Sequence, residues 1–348
     1  MNRAASLAPV PDTRRESALE FRLANEFQRA FPLVPAPFAV LAAQLGVREV
    51  EVLDALAALL DAGTISRVGA VLAPNSVGVS TLAALRVPQT RLAQVAALVS
   101  ARREVNHNYE REGDPNLWFV MNAADGHALD RAAHAIECAA QCGRLLRFPL
   151  IEEYRIDLGF DLRAGAPPPD VSGWRAPALR TPLGEADRTL MSALQAGLAP
   201  TRYPFRALGA RIDMSEDEVL ASVRGWIETG VIRRFGVVVR HRHLGYRANA
   251  MTVWDVPDEV VAQGGHALAR QAGVTLCYRR ERRLPDWSYN LYCMIHGRMR
   301  EQVLERLVEI GRACALDRYP SRVLFSRTCY KQRGAAYFPG DADGLRSA

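Results

Sequence analysis

An imidazole, a phenol and a guanidinium fall at alternate positions of one short run, Val105-Asn106-His107-Asn108-Tyr109-Glu110-Arg111-Glu112. On a strand, residues two apart share a face, so His107, Tyr109 and Arg111 project together while Asn106, Asn108 and Glu110 project the other way. An imidazole binds a transition metal or moves a proton near neutral pH. A phenol is a weak acid, and a guanidinium grips a carboxylate through two parallel hydrogen bonds. A second run, Thr275-Leu276-Cys277-Tyr278-Arg279-Arg280-Glu281-Arg282-Arg283, reads as a diverged copy. It sets Tyr278 against Tyr109, puts Leu276 where the first run has His107, and adds arginines. A lone histidine is more often a satisfied core or surface residue than a ligand. The company of Tyr109 and Arg111 is what makes His107 a candidate. His127 and His134 read as structural, and His296, at a strand end, stays open.

A further basic stretch holds Arg233, Arg234, Arg240, His241, Arg242, His243 and Arg247 without an intervening acid. Lys331 is the only lysine of the chain. A G+C-rich genome explains much of the preference for arginine, but not its clustering. Clustered arginines suit a ligand with several carboxylates, and the plain alternative is an exposed, solvated face.

The 348 residues carry a net charge of +6 and a pI near 9.2, a balance that suits an acidic partner: nucleic acid, phosphate or a polycarboxylate. That length allows two or three domains with real cores. No apolar run is long enough to span a membrane, so no membrane association is expected. Residues 1–15 show no apolar signal segment, which predicts a cytoplasmic protein. The six cysteines form no C-x-x-C pair. Cys138 and Cys142 sit four apart on an expected helix, where small apolar packing is the simpler reading than a metal site.

Periodicity and breakers place the elements that position these groups. Helices are expected at 16–30, 38–45 and 48–62, then a wing strand at 65–72. Strands at 81–87, 105–112, 116–122 and 145–160 follow, with helices at 90–101 and 126–142. The second half repeats the order: strands at 247–256, 274–282, 288–296 and 318–330, helices at 258–272 and 298–314. Residues 37–69 align without a gap on 204–236, with 12 of 33 positions identical, Gly69 and Gly236 among them. An internal duplication follows. The fold class is α+β: a winged helix-turn-helix plus a ferredoxin-like βαββαβ unit, twice. Boundaries are a polar tail 1–15, a first winged unit 16–75, a first ferredoxin-like unit 76–162, and a Pro/Gly linker 163–182. A second winged unit 183–243 and a second ferredoxin-like unit 244–338 complete the chain.

A helix-turn-helix invites a DNA-binding reading. Its reading helices would start at Arg48-Glu49-Val50-Glu51 and Ser215-Glu216-Asp217-Glu218. Ser215 and Glu218 form a capping box. Acids at these starts suit the helix dipole but repel phosphate, so DNA binding is disfavoured and a supporting role is expected.

The winged helix-turn-helix followed by βαββαβ resembles the leucine-responsive regulator/AsnC family, and within it the siroheme decarboxylase branch in its fused two-subunit form. The matching pieces are Arg67-Val68-Gly69-Ala70-Val71, the run 105–111, Asn116-Leu117-Trp118-Phe119, Arg234-Phe235-Gly236, Cys277-Tyr278-Arg279-Arg280 and Tyr289-Asn290-Leu291-Tyr292. The resemblance implies loss of the C12 and C18 acetate carboxyls of siroheme as CO2, giving 12,18-didecarboxysiroheme for heme d1 biosynthesis. It implies that the iron tetrapyrrole is substrate, with no cofactor beyond it, and that His107 is the histidine able to reach the iron. Leu276 departs from that pattern and points to one complete site per chain or two unequal ones. The alternative is an AsnC-type DNA-binding regulator responding to an amino acid or haem.

If so, the two halves are expected to hold the polyanionic ring between them. Arg111, Arg234, Arg240, Arg279, Arg280 and Arg282 would anchor its carboxylates. Trp118, with Phe119, Phe235, Tyr289 and Tyr292, would line the apolar slot. Tyr109, Tyr278 or His107 would move the proton that replaces CO2. Fused halves imitate a family dimer, so a monomer of two pseudo-equivalent halves or a homo-oligomer is expected.

Overall fold

The computed structural model describes residues 18–156, 183–240, 246, 248–335 and 337. The tail 1–15 and the linker 163–182 lie outside them, as do His241, Arg242, His243 and Arg247 of the basic stretch. The first half runs α1 (Ala18–Glu26), α2 (Pro37–Leu45), α3 (Glu49–Asp61), β1 (Ile65–Leu72), β2 (Val79–Leu85), α4 (Leu92–Ala101), β3 (Val105–Arg111), β4 (Leu117–Ala123), α5 (Gly126–Ala140) and β5 (Leu146–Ile156). The second runs α6 (Glu185–Ala196), α7 (Pro204–Ala210), α8 (Glu216–Glu228), β6 (Ile232–Val239), β7 (Ala248–Trp254), α9 (Val261–Ala269), β8 (Val274–Arg280), β9 (Leu291–Gly297), α10 (Arg300–Ala313) and β10 (Ser321–Gln332). The expected first helix is shorter than 16–30: it stops at Glu26, and Ala30 turns the chain with φ 52°.

Local chemistry explains the winged units. Proline at the first helical position starts α2 and α7, where its missing N–H costs nothing. Gly46 in the left-handed conformation closes α2, its N–H turned back to the carbonyls of Ala42 and Ala43. The expected capping box starts α8: Glu218 N–H donates to Ser215 Oγ at 3.3 Å, and Ser215 N–H to Glu218 Oε2 at 2.8 Å.

The two winged units are one body. Strands β1 and β6 pair antiparallel with Gly69 opposite Gly236. The first helix of each half crosses to the other: α1 packs on β6 and α6 on β1. That exchange explains the two repeated glycines. A Cβ on Gly236 would stand 2.4 Å from the Phe27 carbonyl at the end of α1, and one on Gly69 2.9 Å from the Leu194 carbonyl of α6. Both halves therefore feed one apolar core, in which Leu23, Phe38 and Leu56 meet Leu190, Phe205 and Phe235.

Each ferredoxin-like unit forms a four-stranded sheet with two helices on its outer face. The sheets join edge to edge. Among the described residues eight strands close into a barrel in the order β10-β3-β4-β2-β5-β8-β9-β7. The seams are β3 with β10 and β5 with β8, each between the halves. Closure leaves no unpaired edge. The interior is packed, not hollow, with Trp118, Phe148, Tyr278, Trp287 and Tyr292 among aliphatic neighbours.

Candidate functional site

Register fixes what faces inward. His107 lies opposite Val120 and Tyr109 opposite Trp118, while Asn108 lies opposite Phe119. Trp118 and Val120 belong to the barrel interior and Phe119 to the core under the helices. His107, Tyr109 and Arg111 therefore share the inner face, as alternation requires. Asn108 turns outward and donates to the Ala96 carbonyl of α4 at 3.0 Å. The rings of His107 and Tyr109 stack, with centroids 6.2 Å apart and planes 12° from parallel. Arg111 sits 5.6 Å from the Tyr109 ring centre.

The second half repeats this geometry with different residues. Leu276 lies opposite Met294, where the first half has His107 opposite Val120. Tyr278 lies opposite Tyr292, and Arg280 stands 4.5 Å over the Tyr278 ring. Burial separates the two sites. His107 and Tyr109 are half-buried, whereas Tyr278 is 8% exposed. One longer loop and one acid fill the second site. The loop between β8 and β9 spans ten residues (281–290) against five (112–116) between β3 and β4. It carries Trp287 into the barrel, 5.2 Å from Trp118 and 6.0 Å from Phe148, with its indole N–H on the Tyr292 oxygen at 2.9 Å. Glu153, in register with Tyr278, pairs with Arg233 of β6, both nearly buried. Opposite Tyr109 the matching position holds only the small thiol of Cys329.

Expected site residues divide three ways. Arg111 and Arg280 do face inward, but each straps a seam. Arg111 Nη1 donates to the Leu324 carbonyl of β10 at 3.0 Å, and Arg280 Nη1 to the Phe148 carbonyl of β5 at 2.6 Å. Arg279 and Arg282 do not join them. Arg279 Nη2 and Arg282 Nη1 both donate to Asp258 Oδ1, at 2.8 and 2.7 Å, and Arg282 also pairs with Asp255. Neighbours on a strand point to opposite faces, which is why Arg279 parts from Arg280. Arg234 is buried within the winged body, donating to the carbonyls of Gln28 and Val237. Arg240 follows β6, its backbone N–H on the Thr64 carbonyl at 2.8 Å.

The slot needs correcting too. Trp118 is 1% exposed and packs the closed end, its indole N–H on the Pro115 carbonyl. Phe119 faces the helices, and Phe235 lies in the winged core. Trp118 and Trp287 pack with Phe148, Tyr278 and Tyr292 between the sheets. The start of β3, with half-buried His107, and the ends of β5 and β10 form the barrel mouth toward the winged body, where Glu153 meets Arg233 of β6.

One imidazole at that mouth stayed open in the sequence. His296 of β9 lies opposite Asn249 of β7, on the inner face two residues from Met294. Its Nε2 is 3.0 Å from Asn249 Nδ2, and its Nδ1 is 3.1 Å from Thr275 Oγ1. The Thr275 hydroxyl donates to the Met294 carbonyl, so it accepts from His296 Nδ1–H. His296 thus stands in the second half, on a neighbouring strand to Leu276. Only the pairing of β7, β8 and β9 reveals that.

The reading helices are occupied. Glu49 at the start of α3 pairs with Arg202 of the other half, and Glu216 of α8 pairs with Arg206. Among the described residues no group of three or more His, Cys, Asp or Glu could hold a metal ion, and no helix is long and apolar enough to cross a membrane. A surface pocket of about 550 Å³ lies elsewhere, between α5 and the 281–290 loop, lined by charges of both signs such as Asp130, Arg147 and Arg283.

Comparison with known proteins gives the same organisation. An AsnC-like ligand binding domain matches residues 76–155 and 243–331. A siroheme decarboxylase NirDL-like HTH domain matches residues 20–65 and 187–233. The siroheme decarboxylase NirDL subunit of Paracoccus denitrificans is 46% identical over 91% of this chain and 96% of its own length. The NirD subunit of Pseudomonas aeruginosa is 46% identical over 42% of this chain and 97% of its own. A crystal structure of siroheme decarboxylase NirDL in co-complex with an iron-uroporphyrin III analogue superposes with a TM-score of 0.67, at 27% identity, over 92% of this chain and 94% of that one.

Proposed function

This chain belongs to the siroheme decarboxylase NirDL family, and from that premise we propose the chemistry of its mouth. The protein is a carboxy-lyase that acts on siroheme, and this reading is favoured over DNA-binding regulation. One observation carries it: half-buried His107 and Tyr109 share the inner face of an otherwise filled barrel with buried Arg111, in a chain that matches a siroheme decarboxylase over 91% of its length. The products are CO2 and 12,18-didecarboxysiroheme, formed for heme d1 biosynthesis. The iron tetrapyrrole is the substrate and not a resident group.

The ring lies across the mouth, with one face to His107 and its acidic rim toward the arginines of the winged body. His107 meets the substrate iron through an imidazole nitrogen. Each step replaces a carboxylate by a proton: the bond from the acetate CH2 to its carboxylate breaks, CO2 leaves, and the electron pair takes H⁺ to give a methyl group. No net oxidation occurs. Tyr109 is the proton donor favoured by position, beside His107 on the open side, and His296 is a second imidazole within the same mouth. Tyr278, covered by Arg280, Trp287 and Tyr292, serves packing. One site per chain follows. A carboxylate moved from water toward this partly apolar mouth is destabilised relative to neutral CO2, which favours its loss.

The test is anaerobic incubation of the purified chain with siroheme, followed by mass spectrometry of the extracted pigment. Loss of two CO2 masses is the expected result, and unchanged pigment mass would leave only a carrier. His107→Ala should remove the iron-ligation change in the visible spectrum and slow turnover. An unchanged spectrum together with an unchanged rate would exclude His107 from the site.

A further inference from the structure

We propose that Arg67 is a specificity-determining cation of this mouth, receiving one peripheral carboxylate of a polycarboxylated ring seated on His107. This rests on the reading of the mouth as the tetrapyrrole site.

Position comes first. Gln332 at the end of β10 lies opposite His107. Two residues on, Gly334 passes directly over the Arg67 guanidinium. A Cβ there would stand 3.2 Å from Nη1 and 3.4 Å from Cζ. At the other end of the side chain, a Cβ on Gly197 would lie 2.6 Å from the Arg67 Cβ. The arginine thus runs in a slot walled by two glycines, from the winged body to the end of β10, the strand that pairs with the one carrying His107.

Its bonding is incomplete. Nη2 donates to the Ala70 carbonyl at 3.0 Å, and Nε is buried without a partner. No carboxylate among the described residues contacts it. Burial without a counter-charge pushes the guanidinium down to about 10. A guanidinium has five N–H donors, and desolvating a charge is costly unless it is paired. The repeat supplies the contrast. Arg234, 167 positions on, makes the same return bond to the carbonyl three residues later and adds the Gln28 carbonyl at 2.6 Å. Arg233 beside it holds Glu153. Arg67 has neither a second carbonyl nor an acid. Nε is orphaned in both arginines, so the difference lies in the terminal nitrogens: those of Arg234 hold two carbonyls and those of Arg67 one, which leaves donors for an incoming anion.

The experiment titrates full-length Arg67→Gln, Arg67→Lys and Gly334→Val proteins with two iron rings, followed by visible absorption. Iron-uroporphyrin III carries eight carboxylates and protohaem two. Arg67→Gln should weaken the octacarboxylate by about tenfold or more, the loss of one charge-assisted contact, and leave protohaem within about twofold. Arg67→Lys should recover part of the loss. Gly334→Val, which crowds the guanidinium without removing it, should show the same ligand selectivity if Arg67→Gln fails to fold. With siroheme, KM should rise while kcat holds. Undiminished affinity for iron-uroporphyrin III, or an equal loss for both rings, overturns the proposal and leaves Arg67 a packing residue. A parent protein that binds neither ring overturns the reading of the mouth, and Arg67 with it.

Discussion

At the scale of single residues, two tyrosines with the same register have different surroundings. Tyr109 is half-buried beside His107, and Tyr278 is buried under Arg280. Both phenols lie near a guanidinium, so the arginine does not decide between them; access does. Tyr109→Phe should lower kcat by about 100-fold or more if its phenol supplies the proton. Tyr278→Phe should keep turnover near parent and instead lose some stability. Single-turnover rates with siroheme, read beside urea melts of each variant, would reverse the assignment if the two effects exchanged. The sequence showed that His107, Tyr109 and Arg111 share a face because a strand has a strict period of two. It did not show that Arg279 and Arg282 had acids already waiting. Asp255 and Asp258 lie more than twenty positions away along the chain, and only the fold brings them close.

At the scale of elements, the loop between β8 and β9 does two jobs. It drives Trp287 into the barrel, and near its start Arg282 makes an ion-pair clamp to Asp258, ahead of α9. Trp287 is 2% exposed, so Trp287→Ala should destabilise by about 3–5 kcal/mol through the cavity it leaves. The clamp is pH-dependent. Hydrogen bonding from Arg282, then the nearby charges of Arg282 and Arg279, hold the Asp258 carboxyl below its ordinary range. The unfolded chain therefore takes up this proton at a higher pH than the folded one. The clamp's contribution is complete above the ordinary aspartate pKa and is lost as pH falls through the lower folded value. Asp258→Asn should be less stable than parent at neutral pH, and the gap should narrow as pH falls below about 4, the ordinary aspartate value, and vanish only below the lowered folded one. Urea melts across that range measure it, and a constant gap would show that the carboxylate's charge plays no part.

At the scale of the molecule, two repeats make one closed object. The winged units exchange their first helices, and the sheets share two seams, each strapped by an arginine of one half on a carbonyl of the other. Residues 1–162 and 183–348 expressed as separate chains should therefore co-purify as a one-to-one pair that decarboxylates siroheme. Arg111→Ala with Arg280→Ala should loosen that pair, measured by sedimentation; separated halves that never associate would show that the covalent link is required. Much of this was legible beforehand. Identity at Gly69 and Gly236, the capping box at Ser215 and the alternation around His107 are local signals, and local sterics and period determine them. The sequence by itself settled the duplication, the α+β class and the face that carries the histidine. Only the tertiary structure decided that the barrel is filled, that Trp287 and Glu153 pack around Tyr278, and that Arg67 runs beneath Gly334 at the end of β10. Those outcomes depend on strands from opposite halves meeting at the seams, and on two glycines that let a wing approach a strand end. Such contacts join residues a hundred or more positions apart, which no local pattern encodes.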